Sequence, residues 1–159
     1  MQSPILTLTL NPALDMATEV KDILPGHKLR CSDPHLDPGG GGLNVSRAIK
    51  ALGGDSLALV ALGGLTGDRL AGLIRAEGVT FLSILGPGET RQSLTVTEGT
   101  SGKQYRFMLP GPVWGAAERA RVFTLLSATA RPGGYSVISG SQPPGVPEDF
   151  PAQLAASMD

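Results

Sequence analysis

Residues 37–54, DPGGGGLNVSRAIKALGG, place four consecutive glycines directly before an amphipathic stretch whose first turns carry Asn44 and Arg47. Glycine tolerates backbone conformations and close approaches that a side chain would block. Where such a run feeds a helix, the free N–H groups and the helix dipole favour an anion or a hydroxyl-rich ligand. Two phosphate motifs are excluded: a Walker loop needs Gly-Lys-Ser/Thr after the glycines, and a dinucleotide fingerprint needs a third glycine where Asn44 or Val45 stands. A tight turn is the plainer alternative, but four glycines followed at once by Asn44 and Arg47 favour a ligand. A second grouping, His27, Cys31 and His35, has even spacing that suggests a metal site. In an extended chain four residues span about 13 Å, too far to share one ion, and Pro25, Pro34 and Pro38 oppose the helix that would gather them. No metal is expected there.

The elements that must position the glycine run are legible from hydropathy. ILTLTL (5–10) and SLALVAL (56–62) are short apolar runs stopped by Asn11-Pro12 and Gly63-Gly64, and they suit strands buried on both faces. Between them Val45, Ala48, Ile49 and Leu52 recur at helical spacing and predict the inward face of a helix ended by Gly53-Gly54. A helix over about 67–77 with Leu70, Leu73 and Ile74 inward, a strand over 80–85, a helix near 115–129 with Val122, Leu125 and Leu126 inward, and a strand over 135–139 continue the alternation. The pattern predicts an α/β fold, a parallel sheet with helices on both faces. Residues 90–99 and 103–111 break it: they read as a hairpin joined by Thr100-Ser101-Gly102. With the Pro-bounded stretch 26–36 they predict a small antiparallel β lid. Its apolar residues Leu94, Val96, Tyr105 and Phe107 have no evident cover within the chain, so a homodimer through the lid is expected.

Composition narrows the partners. The 13 basic and 14 acidic residues of the 159 nearly cancel and no Lys/Arg run stands out, so neither nucleic acid nor an anionic membrane is expected. Cys31 is the sole cysteine. The N-terminus lacks the basic and apolar regions of a signal peptide, and no apolar run spans a bilayer. A cytoplasmic protein binding something small, or another protein, is the expectation.

The motifs LTLTLNPALD (6–15), PGGGGLNVSRAIKALGG (38–54), ALGGLTGDRLAGLI (61–74), ETRQSLTV (89–96), QYRFMLPGP (104–112) and SGSQPPG (139–145) occur in this order. In them the chain resembles the PfkB or ribokinase family of sugar kinases, and most the 6-phosphofructokinase 2 type within it; 1-phosphofructokinases and tagatose-6-phosphate kinases usually carry a lysine among the glycines. The resemblance implies a Rossmann-like, ribokinase-like core with lid segments about 16–36 and 89–110, and phosphorylation of a sugar phosphate, fructose 6-phosphate first, by Mg-ATP. It implies roles for Asp15, at the end of the loop after the first strand, as acceptor for sugar hydroxyls; for Gly40 and Gly41 as room for the sugar ring; and for Asn44 as donor and acceptor to a hydroxyl. Arg91, helped by Lys28 and by Arg30, would meet a phosphate already on the substrate, and Ser141 would contact the sugar.

The Gly-Asp of LTGD (65–68) superficially matches the family's catalytic Gly-Ala-Gly-Asp, but it precedes RLAGLI and reads as a helix start capped by Thr66 or Asp68. The catalytic motif itself is absent from residues 1–159. The resemblance therefore implies that this chain is the N-terminal part of one kinase domain, ending in a helix that starts near Pro151, with no catalytic residue of its own and the nucleotide-binding half outside it.

Overall fold

A computed structural model describes residues 3–158. The apolar runs form the centre of a four-stranded parallel sheet. β1 (Ile5–Thr9) pairs with β4 (Leu57–Leu62) on one side and with β8 (Tyr135–Ile138) on the other, and β5 (Phe81–Leu85) lies outside β4. Side chains alternate across a strand, so the sheet feeds two cores. Leu6, Leu8, Leu59, Ala61 and Ile84 face helices α3 (Ala116–Thr129) and α4 (Phe150–Ala156) and meet Val122, Leu126, Phe150 and Leu154. On the opposite face Ala58, Val60 and Leu62 meet Leu43 of α1 (Gly41–Ala51) and Leu70, Ala71 and Ile74 of α2 (Gly64–Ala76). Helices thus cover both faces, and each fully buried leucine or valine contributes about 1.5–3 kcal/mol.

The second sheet differs from its expectation. Its order is β3 (His35–Gly39), β2 (Ala13–Val20), β6 (Arg91–Glu98) and β7 (Gln104–Met108). The β2–β3 and β6–β7 pairs are antiparallel, but the central β2–β6 pair is parallel over eight residues, so the sheet is mixed rather than antiparallel. The reason lies in the entry points. β2 leaves the C-terminal end of β1 and β6 leaves that of β5, two strands already running the same way in the core sheet. Asp15 consequently sits within a strand, not at the end of a loop. Val96 is buried by this chain itself, whereas Tyr105 and Phe107 of β7 are exposed.

Helix α1 also turns differently. The residues it buries are Gly42, Leu43 and Ser46, while Ala48 is exposed and Leu52 is 88% exposed. The Ser46 hydroxyl reaches the Thr7 hydroxyl at 2.8 Å, and the Ser56 hydroxyl reaches Ser46 at 2.9 Å. A buried hydroxyl with partners incurs little desolvation cost, and it lets α1 approach β1 closely where a larger apolar side chain would hold it off.

Candidate functional site

The glycine run lies where β3 turns into α1, and its missing side chains leave room for the protein's own atoms. A Cβ on Gly39 would fall 2.5 Å from Asp15 Cγ, and one on Gly40 2.5 Å from Thr9 Cγ2. On Gly41 it would lie 2.5 Å from the Gly140 nitrogen, and on Gly42 2.8 Å from the Leu8 carbonyl carbon. On the side where a Cβ would stand, the bare Cα atoms of Gly40 and Gly41 let α1 close onto the end of β1 and the chain that leaves β8. The start of α1 is partly used as well. Gly42 N–H donates to the Ser139 carbonyl at 3.1 Å, and Leu43 N–H to the Thr9 hydroxyl at 2.7 Å.

Around this point the predicted residues gather. Asp15 is half-buried, and its carboxylate accepts a hydrogen bond of 2.5 Å from Ser93 Oγ, its register partner across the parallel β2–β6 pair. Asp37 of β3 is its partner on the other side. Arg91, half-buried at the start of β6, donates through Nε to the Asn11 carbonyl at 3.2 Å. Asn11 in turn donates from Nδ2 to Ser141 Oγ at 3.2 Å and to the Gln142 carbonyl at 3.4 Å. Asp15, Gly40, Gly41, Arg91 and Ser141 thus border one place at the C-terminal end of β1, where open α/β sheets bind ligands. Asn44 stands exposed on the first turn of α1 beside it. Lys28 and Arg30 do not join the cluster: both lie in the exposed segment between β2 and β3 and make no hydrogen bond or ion pair among the described residues.

Three residues that hold this site together were not singled out from the sequence. Asn11 links the end of β1 to Arg91 and Ser141, and Ser93 orients Asp15. Both lie inside quoted motifs, yet neither has a charge to draw attention. Gly39 alone of the four glycines faces the Asp15 carboxylate. Arg47, read as ligand-facing, is instead committed to the protein. It forks onto Glu77, Nε to Oε2 at 2.5 Å and Nη2 to Oε1 at 2.7 Å, and this bond holds the guanidinium above its ordinary pKa.

The second glycine pair, Gly63-Gly64, starts α2, and neither Thr66 nor Asp68 is the cap there. Glu89, on the loop before β6, accepts from Leu65 N–H at 3.1 Å and Thr66 N–H at 3.0 Å. These bonds, from Thr66 first, hold its carboxyl below the ordinary value of 4.5. Gly64 has a φ of +65°, and a Cβ on it would strike the Glu89 carboxylate. Thr90 completes the clamp: its N–H donates to the Gly63 carbonyl at 2.8 Å and its hydroxyl accepts from Gly63 N–H at 3.0 Å. Neither helix start presents a free cradle of N–H groups. One glycine-rich helix start carries its own carboxylate, the other bonds neutral oxygens of the chain, and no three His, Cys, Asp or Glu among them could jointly hold a metal ion.

The family model for the pfkB family carbohydrate kinases matches residues 9–159. An ATP-dependent 6-phosphofructokinase isozyme 2 from Mycobacterium tuberculosis is 46% identical over 151 residues, 95% of this chain and 44% of that protein. A 1-phosphofructokinase from Xanthomonas campestris is 35% identical over 98% of this chain and 49% of that protein. Among solved structures, phosphofructokinase-2 from Escherichia coli in complex with fructose-6-phosphate superposes with a TM-score of 0.93 at 41% identity, over 99% of this chain and 52% of that one. The chain spans about half the length of the curated relatives it matches.

Proposed function

The chain belongs to the pfkB family of carbohydrate kinases, and from that premise we propose that it supplies the sugar-phosphate-binding half of an ATP-dependent 6-phosphofructokinase. The reaction is transfer of the γ-phosphoryl of ATP to the 1-hydroxyl of fructose 6-phosphate, with magnesium on the nucleotide; the residues for ATP, metal and proton removal are assigned outside residues 1–159. The observation that carries the reading is the Asp15 carboxylate, laid over Gly39 and oriented by Ser93, with Arg91 and Ser141 tied to one neighbour, Asn11. A carboxylate accepts from two hydroxyls and a guanidinium fork suits a phosphate. That pairing fits a sugar that already bears phosphate better than a free sugar. Asn44 and Gly40-Gly41 complete the wall. Lys28 adds positive charge from the segment between β2 and β3, and the exposed Tyr105 and Phe107 favour a homodimer through the second sheet. A cytoplasmic setting suits this substrate.

A 1-phosphofructokinase is the second reading, favoured by the 35% identity to such an enzyme. Calorimetric titration of the 159-residue chain separates them. Fructose 6-phosphate should bind more tightly than fructose 1-phosphate; the reverse order selects the second reading. Asp15→Ala should weaken the sugar phosphate by about 1.5–3 kcal/mol, the range for hydrogen bonds to a charged group. Arg91→Ala should weaken the phosphorylated sugar and leave free fructose unchanged. Equal loss for both would show that Arg91 does not read the phosphate.

A further inference from the structure

Arg47 sits where β3, α1 and the end of α2 meet, and its fork on Glu77 uses only part of its donor set. Nη1 also donates to the Pro38 carbonyl at 3.2 Å and to Asn44 Oδ1 at 3.3 Å, and Nη2 lies 3.5 Å from Asp37 Oδ1. Its side chain is 30% exposed and that of Glu77 32%, so the fork is partly shielded from water. A brace between α1 and the end of α2 would need the Glu77 fork alone. The further bonds reach residues 37, 38 and 44, which border the candidate site.

Arginine offers donors only. The Asn44 atom that faces it is therefore the carbonyl oxygen, and the amide is left to present its NH2 group to anything bound beside it. Pro38 precedes Gly39, the residue over which the Asp15 carboxylate lies, and Asp37 is opposite Asp15 in the β2–β3 ladder. One planar cation thus touches both the support of the site's acceptor and the amide of its donor.

We infer that Arg47, anchored by Glu77, is a positioning residue of the sugar-phosphate site: it fixes Asn44 as a donor toward a ligand oxygen and holds residues 37–39 beneath Asp15. This rests on the sugar-phosphate reading above. It also narrows the role expected of Asn44, from donor and acceptor to donor alone. The bound sugar phosphate then meets an acceptor at Asp15 and a donor at Asn44, in places set before it arrives.

The test is a double-mutant cycle on the 159-residue chain, read by calorimetric titration with fructose 6-phosphate and accompanied by thermal unfolding. Lysine keeps the charge of Arg47 but cannot make the planar fork. Arg47→Lys and Asn44→Ala should each weaken binding about tenfold or more, and the double variant by clearly less than the product of the two, because the part of Arg47 that orients Asn44 has nothing left to act on once Asn44 is gone. Asn44→Asp, which replaces the donor with a second acceptor, should bind more weakly than Asn44→Ala. If Arg47→Lys does not fold, Glu77→Gln takes its place in the cycle, with the same non-additivity expected. A purely structural brace predicts the opposite. The melting temperature would fall, the folded protein would bind as the parent does, or the two losses would multiply in full; any binding result of that kind overturns the inference. A parent that binds no fructose 6-phosphate, or an Asp15→Ala variant that binds it as tightly as the parent, overturns the sugar-phosphate reading itself and the inference with it.

Discussion

Two glycine-rich turns in this molecule lead from a strand end into a helix, and they are closed by different chemistry. At the start of α2 the chain supplies its own anion: Glu89 accepts from Leu65 and Thr66, and Gly64 is bare because the carboxylate occupies the place of its side chain. At the start of α1 the acceptors are neutral, the Ser139 carbonyl and the Thr9 hydroxyl. The nearby carboxylate of Asp15 is laid over Gly39 and bound by Ser93 rather than by the helix. The positive end of the α2 dipole is compensated from within, while that of α1 is not. A glycine run therefore reports that main chain is crowded. Each turn has both backbone and a carboxylate over its glycines, the Leu8 carbonyl and Asp15 at one, the Gly88 carbonyl and Glu89 at the other; they differ in that Glu89 bonds the N–H groups of its helix and Asp15 does not.

The contrast can be broken by adding a methyl group at each turn. Gly42→Ala drives a Cβ into the Leu8 carbonyl, which belongs to a central strand and cannot swing aside. It should lower stability by about 3 kcal/mol, a fall in Tm of about 10 °C in a calorimetric scan. Gly64→Ala meets the end of a flexible glutamate, so the main penalty is the left-handed backbone at a φ of +65°, about 1–2 kcal/mol. A Gly64→Ala variant less stable than Gly42→Ala would refute the distinction between the two turns.

Acid sharpens the same contrast at the next level of effect. The Glu89 carboxyl is held below 4.5 in the folded chain, so the stability it contributes is present above pH 4.5 and is lost as the pH falls through its lowered value. Glu89→Gln should be less stable than the parent at neutral pH, with the difference shrinking in acid. Glu98 and Glu118 are held low by their own hydrogen bonds, so both proteins keep some acid sensitivity. Denaturant melts at neutral pH and below pH 4 measure this, and a difference independent of pH would remove Glu89 as the cap. The smallest effect is expected at Asp68. It is exposed and outside the cap, so Asp68→Ala should shift stability by no more than about 0.5 kcal/mol in the same melts.

The parallel sheet was legible because its strands are covered on both faces and read as continuous apolar runs. The rest depended on relations that hydropathy does not encode. Leu52 was expected inward and lies in solvent, because α1 rests on Ser46, a polar residue made burial-tolerant by Thr7, 39 positions away. β2 did leave a signal: Leu14, Met16, Thr18 and Val20 alternate with Asp15, Ala17 and Glu19, a period of two that marks a strand. In the site, the charged and glycine residues stood out by type. Asn11 and Ser93 did not, since a neutral side chain acquires its role only from the partner that folding brings to it. Glu89 was equally invisible as a cap, being 24 residues from Leu65.

The parallel pairing of β2 with β6 also has an entropic side. Asp15 and Ser93 are 78 residues apart, and closing a loop of that size costs entropy before any contact repays it. The core sheet removes most of that cost. Once β1, β4 and β5 are aligned, the chain leaving β1 and the chain leaving β5 emerge from the same edge in the same direction. The direction of the first sheet thus sets the direction of β2 and β6, and with it the pairing that brings Asp15 to Ser93. A change that shifted β1 against β5 would therefore also move Asp15 against Ser93, although neither residue belongs to the core sheet.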